Sequence, residues 1–251
     1  MPSLKSKLAD PARRLSSVVC TIPSATVPQA IAAAGVDSVI IDLEHGAVDY
    51  GSAHAMIAAT AGTECAPIVR IAENTDAQVK RALDLGAEGI CFPLIRDAVD
   101  AEWAVGSLRY PPYGTRGFGP FIAQSRWATD MPGYARTVAP QLVSMLLIET
   151  VEAVNNIDAI YAVQGVDMLV VAGFDLSTAF GVSGQFDHPD FIAAVSRIET
   201  TAQAAGLPLG NIALTQTQAE ANFAKGYRII AGFDLLWIRA TAAELVGWTK
   251  D

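Results

Sequence analysis

The chain is poor in several residue types that whole classes of protein depend on. It has three cysteines in 251 residues, Cys20, Cys65 and Cys91, each inside an apolar stretch and at no motif spacing. That excludes a disulfide framework or zinc knuckle and fits buried thiols in a reducing compartment. It has three histidines, and His54 and His188 lie away from the expected strand ends, which disfavours a tetrahedral zinc centre. Its five lysines, Lys5, Lys7, Lys80, Lys225 and Lys250, read as helical, terminal or loop positions. Schiff-base chemistry needs a lysine of depressed pKa at an apolar strand end, so a lysine-independent mechanism is favoured. Positive charge is scarce overall: 17 basic against 26 acidic residues give a net −9. This balance argues against nucleic-acid and anionic-membrane partners, and a small anion would need a local cationic spot. No window reaches about 18 uninterrupted apolar residues. The basic N-terminus, "MPSLKSKLADPARR", lacks the apolar core of about 7–15 residues that marks a signal peptide. A cytoplasmic location is expected.

What the chain does have is core-forming material, with 51% hydrophobic and 17% charged residues. Its length suits an α/β barrel, which routinely uses about 250 residues as one domain. Eight β-rich runs, at 17–21, 38–42, 67–71, 89–92, 143–148, 168–171, 209–213 and 228–232, alternate with helix-like stretches. The helical candidates are 27–34, 52–61, 76–85, 97–108, 153–163, 190–205 and 217–225, each with apolar positions near i, i+3, i+4 spacing. Five of them end in a glycine just before the next strand, Gly35, Gly86, Gly165, Gly206 and Gly226, the residue that best tolerates a left-handed helix terminus. The pattern predicts a single-domain (β/α)8 TIM barrel over residues 1–251. One segment breaks the rhythm: "RYPPYGTRGFGPFIAQSRWATDMPGY", residues 109–134, is long, turn-rich and aromatic. Its composition favours a structured cover over a floppy linker, and an oligomer contact would look the same.

In such barrels the active site lies at the C-terminal ends of the strands, and ionisable residues gather there. The second run, "SVIIDLEHG", ends in Asp42, Glu44 and His45; the third ends in Arg70, the fifth in Glu149, and the sixth is followed by Asp175. Glu149 or Asp175 alone reads equally well as a first-turn acid of the next helix, and Arg70 alone as an ion-pair partner. Their joint arrival on one face is harder to explain structurally. Two carboxylates from neighbouring strands make a site for a hard divalent cation, Mg2+, Mn2+ or Co2+, with other positions left to water and substrate oxygens. A cation so held beside Arg70 suits a chelating 2-oxo acid, and the chemistry is proton abstraction next to a carbonyl through a metal-stabilised enolate.

The motifs "DLEHG" (42–46), "VRIAENT" (69–75), "YGTRGFGP" (113–120), "IETVEAVNNID" (148–158) and "VAGFDLSTAFG" (171–181) together resemble the HpcH/HpaI aldolase/citrate lyase family. The likeness is greatest to its metal-dependent, class II pyruvate aldolases acting on 4-hydroxy-2-oxo acids. The resemblance implies Glu149 and Asp175 as metal ligands and Arg70 as the group on the pyruvyl keto oxygen. It implies His45 as the residue that moves the proton of the aldol hydroxyl through a metal-associated water, Asp42 as the group tuning that water, and Asp84 as an acid partnering His45. Backbone N–H groups near Gly173 and Phe174 would receive the pyruvate carboxylate. It also implies a homohexamer, a trimer of dimers that exchange their last helix, here "DLLWIRATAAELVGW" (234–248). Two departures bear on aldehyde choice: Leu147 stands where many relatives have glutamine, and Phe174 makes "AGFDLS" of the usual "GPADLS". The expected activity is reversible cleavage to pyruvate, or hydroxypyruvate, and an aldehyde. The rivals are a lyase of the same superfamily acting on an acyl-CoA thioester or decarboxylating oxaloacetate, and a non-catalytic barrel. A CoA enzyme should carry a basic rim, which is not evident, and a scaffold need not keep both carboxylates, the arginine and the histidine.

Overall fold

The computed structural model describes residues 2–250. Eight strands, Leu15–Cys20 (β1), Ser38–Asp42 (β2), Ala66–Arg70 (β3), Gly89–Phe92 (β4), Val143–Ile148 (β5), Met168–Val171 (β6), Leu209–Ile212 (β7) and Ile229–Phe233 (β8), lie in sequence order. All pair in parallel, and β8 returns to β1 to close the barrel. This is the expected (β/α)8 architecture. The alternation of side chains along each strand divides the core in two. Leu15 and Val19, Ala66 and Ile68, and Val143, Met145 and Leu147 point inward and form one cluster. Val39 and Ile41, Val69 and Ile90, and Leu146 and Ile148 point outward and pack under the helices as another.

Caps set where the helices begin and end. Thr75 accepts from the Gln78 amide and Thr150 from the Ala153 amide at two helix starts. All five predicted terminal glycines are left-handed, Gly35 at φ +87° and Gly206 at +68° among them. One predicted helix, 153–163, is instead two, Val151–Asn155 and Ile157–Tyr161. Asn156 sits between them at φ −100°, ψ 10°, outside the helical region, with its side-chain amide donating to the Arg96 carbonyl of the loop after β4 at 3.1 Å.

Two short helices, Leu4–Ala9 and Gly173–Ala179, fall below the length at which periodicity is readable. The first plugs the N-terminal end of the barrel. Leu4 and Leu8 join the inward cluster, each burial contributing roughly 1.5–3 kcal/mol. The Leu4 amide donates to the buried Glu88 carboxylate at 2.6 Å, and Lys7 reaches Asp37 at 2.9 Å and the Glu64 carbonyl at 2.8 Å. With that end closed, the interior opens only at the strands' C-terminal mouth.

The 109–134 segment is ordered, as expected, but it does not cover the mouth. It begins where helix Ala98–Leu108 has already carried the chain to the far end of the barrel, and it braces the flank of helix Asp76–Asp84. Trp127 Nε1 donates to the Gly86 carbonyl at 3.2 Å and Arg116 pairs with Asp84 at 2.8 Å. None of its residues lines the central cavity. Among the described residues no helix is long and apolar enough to cross a membrane.

Candidate active site

The register of β2 on β3 sets Asp42 opposite Arg70, and both point inward. The guanidinium forks onto the carboxylate, Nε to Oδ1 at 2.8 Å and Nη2 to Oδ2 at 2.5 Å. Asp42 is fully buried, and its Oδ1 also accepts the amides of Glu44 and His45 at 3.0 and 3.2 Å. One carboxylate therefore aims the arginine and shapes the turn that presents the histidine. The turn leaves no room at Gly46, where a Cβ would lie 2.3 Å from the Asp42 carbonyl and 3.2 Å from Thr21 Cα. Burial works against the Arg70 charge, but the Asp42 hydrogen bonds and charge outweigh it and hold the pKa above the ordinary arginine value.

Glu44 lies beside this pair, its Oε2 3.3 Å from Arg70 Nη1 and 3.8 Å from His45 Nε2. That oxygen is buried and has no hydrogen-bond partner. The His45 side chain is 62% exposed, so its ring is free to meet a substrate. From β5, Glu149 is 6% exposed and accepts the Leu94 amide at 2.5 Å. Leu94 holds φ +52° to deliver that amide, a conformation that costs a side-chain-bearing residue about 1–3 kcal/mol. Asn74 pins the turn by donating to the Pro93 carbonyl at 2.7 Å. Asp175 is in the first turn of helix Gly173–Ala179, where the helix dipole favours an anion and the first amides have no intrahelical acceptor.

Four carboxylates thus face a single guanidinium that Asp42 already occupies. Burial, then the charges of Asp175 and Glu44, push the Glu149 carboxyl up to about 7, against the Leu94 hydrogen bond and Arg70. Glu44 is also raised, by burial first and then by Asp42 and Asp175, against Arg70 and His45. Uncompensated negative charge and an orphaned buried oxygen fit a hard divalent cation. Among the described residues no three His, Cys, Asp or Glu side chains converge as a ready-made cage. An ion held by Glu149 and Asp175 would keep positions for water and substrate.

Several of these groups, though not Glu44 or Glu149, border a cavity of about 200 Å3 that runs from the mouth into the barrel. Asp42, His45, Arg70, Gly173, Phe174 and Asp175 line it, as does Leu147. Cys91 lies deeper in the same wall, and burial raises its thiol far above neutrality, so it is no nucleophile. Two expectations take a specific form here. Asp42 Oδ1 accepts Arg70 Nε and two amides, and Oδ2 accepts Arg70 Nη2 and keeps a second lone pair, so Asp42 chiefly aims the arginine. Asp84 does not meet His45 within one chain: it is the last residue of a helix that runs away from the mouth, and it pairs with Arg116. The role of Glu44 was missed, although its place two residues after Asp42, on the same turn, was a usable signal.

The HpcH/HpaI aldolase/citrate lyase family model matches residues 21–240. The 2-dehydro-3,6-dideoxy-6-sulfogluconate aldolase of Pseudomonas putida is 34% identical over 89% of this chain and 88% of its own length. The pyruvate aldolase of Rhizobium etli is 33% identical over 80% of this chain and 78% of its own. The crystal structure of an HpcH/HpaI aldolase/citrate lyase family protein from Burkholderia cenocepacia superposes with a TM-score of 0.90 at 30% identity, over 100% of both chains. The barrel, the mouth residues and these likenesses agree, and the chain belongs to the HpcH/HpaI aldolase/citrate lyase family.

Proposed function

We propose that this chain is a divalent-cation-dependent aldolase that reversibly cleaves 4-hydroxy-2-oxo acids to pyruvate, or hydroxypyruvate, and an aldehyde. The observation that carries the reading is Arg70, clamped by Asp42 and paired with Glu44, beside the carboxylates Glu149 and Asp175, which no cationic side chain pairs among the described residues. Glu149 and Asp175 would hold the cation, Mg2+, Mn2+ or Co2+. When bound, it supplies Lewis acidity that draws electron density from a substrate carbonyl. Arg70 donates to the keto oxygen and stabilises the negative charge of the enolate left when the C3–C4 bond breaks; losing one such donor typically costs about 10²–10³ in rate. Asp42 is the positioning residue that keeps the arginine charged and aimed. The amides of Gly173 and Phe174, at the start of a helix, receive the carboxylate. His45 takes the proton of the C4 hydroxyl in cleavage and returns it in addition, a step typically contributing about 10²–10⁴. Glu44 steadies the imidazolium so formed.

The working form in this reading is an oligomer, a hexamer of exchanged dimers. The last helix, Asp234–Gly247, buries only Asp234 among its residues and leaves Leu235, Ile238 and Leu245 each 55% exposed, an apolar face that calls for a second copy. Asp84 can then serve only the His45 of another subunit.

The test is solvent-deuterium exchange into the pyruvate methyl group, followed by NMR with chelator-stripped protein and then with added Mg2+ or Mn2+. Cation-dependent exchange, abolished in Arg70→Ala and Glu149→Gln variants verified as folded, is the expected result. No exchange with either ion would overturn the reading.

A further inference from the structure

The mouth divides into two arcs. From β2 to β6 the strand ends supply every charged group of the site. From β7 through β8 to β1 the cavity wall is Ile212, Ala231 and Phe233, with Asn211 and Thr21 the polar exceptions. Both exceptions are engaged within the chain. Thr21 commits its hydroxyl to Asp234 Oδ1 at 2.9 Å and its amide to Oδ2 at 3.0 Å. Asn211 donates to Asn222 at 3.2 Å and accepts the Ile212 amide at 2.8 Å. A 2-oxo acid bound at its keto oxygen by Arg70 and at its carboxylate by the amides of Gly173 and Phe174 has both polar ends on the first arc. Its methyl carbon, and the substituent of an aldehyde whose oxygen meets His45, would then face the second.

We propose that the aldehyde of this enzyme carries an apolar alkyl or aryl substituent rather than a polyhydroxylated chain; the inference rests on the aldolase reading above. Hydroxyls entering the β7–β8–β1 arc exchange bonds to water for a wall whose polar side chains are already paired, whereas methylenes gain contact there. Leu147, which also lines the cavity, extends the apolar wall. In the addition direction the enolate carbon bonds to the aldehyde carbon, the carbonyl π pair moves to the aldehyde oxygen, and that oxygen takes one proton. The product is a 4-hydroxy-2-oxo acid, and no oxidant or reductant enters.

The experiment uses the full chain with pyruvate and Mg2+ or Mn2+ and compares kcat/KM for butanal and glyceraldehyde. Butanal is expected to lead by about tenfold or more, since one methylene in an apolar pocket is worth at least that much. Ile212→Thr and Ala231→Ser are expected to cut the ratio several-fold. A ratio at or below one, or one that neither substitution moves, overturns the inference. Methyl deuterium exchange, which needs no aldehyde, is recorded on the same sample. Exchange with glyceraldehyde preferred overturns this inference alone, and no exchange overturns the aldolase reading with it.

Discussion

Asp37 at the plugged end and Glu149 at the mouth are similar carboxylates in opposite electrostatic states. At the plugged end Asp37 is also taken out of water, yet the hydrogen bond from Lys7 and the charges of Lys7 and Arg13 outweigh that burial and lower its pKa. At the mouth, burial first and then acidic neighbours push Glu149 up to about 7 and raise Glu44, and Arg70 does not offset them. The Asp37 charge is matched within the chain and contributes to folding, whereas Glu88 at the same end is raised by burial against the Leu4 hydrogen bond, Arg126 and Lys7. Charge at the mouth is left for something the chain does not itself supply, the usual mark of a working site.

The sharpest way to break this contrast is to give the mouth an unmatched charge in a dry place. Arg70→Ala strands the fully buried Asp42, and the expected loss is about 3–5 kcal/mol of stability, read by urea unfolding, on top of its effect on turnover. The next effect separates the ends by sign. The folded-state Glu149 pKa of about 7 stands above the ordinary 4.5, so in cation-free protein the folded state binds the proton more tightly than the unfolded. That contribution is full below about 4.5 and is lost as pH rises through about 7, amounting to at most about 3 kcal/mol. Asp37, lowered, contributes in the opposite sense: its stabilisation is present above the ordinary aspartate value and is lost as pH falls through its folded pKa. Denaturant midpoints of chelated protein from pH 3.5 to 8.5 should show the Glu149 slope, and Glu149→Gln should reduce it, with Glu44 and Glu88, raised in the same direction, supplying the remainder. The smallest effect belongs to the plugged end. Lys7→Met removes a buried donor from Asp37 and the Glu64 carbonyl, with an expected cost of about 1–3 kcal/mol and turnover at 25 °C within about twofold of the parent. A large loss of turnover in that variant would mean the two ends are coupled.

Much of this was legible in the sequence, for reasons that differ by residue. The strands were readable because fully buried β-branched and leucine runs are short and bounded by glycines, and the mouth residues because a parallel barrel sends every strand end the same way. That rule brings Asp42, His45, Arg70 and Asp175 to one cavity and sets Glu149 within reach of the Asp175, Glu44 and Arg70 charges. What strand order cannot reveal is who bonds to whom. That Asp42 is consumed by Arg70 follows from the β2–β3 register, a non-local fact. The motif neighbourhood of Asp84 says nothing about which end of the helix it occupies relative to its own mouth. The composition of the 109–134 segment likewise marks a packed surface but not which surface, and its exposed Tyr113 and Phe121 leave that surface facing outward.

The plug at the far end has a kinetic consequence. With Leu4 and Leu8 filling the interior below the site, the cavity is a dead end, and traffic passes through one opening. In the proposed reading, a two-substrate reaction in such a space would form a queue: a 2-oxo acid seated against Arg70 would enter first and would leave only after the aldehyde had gone.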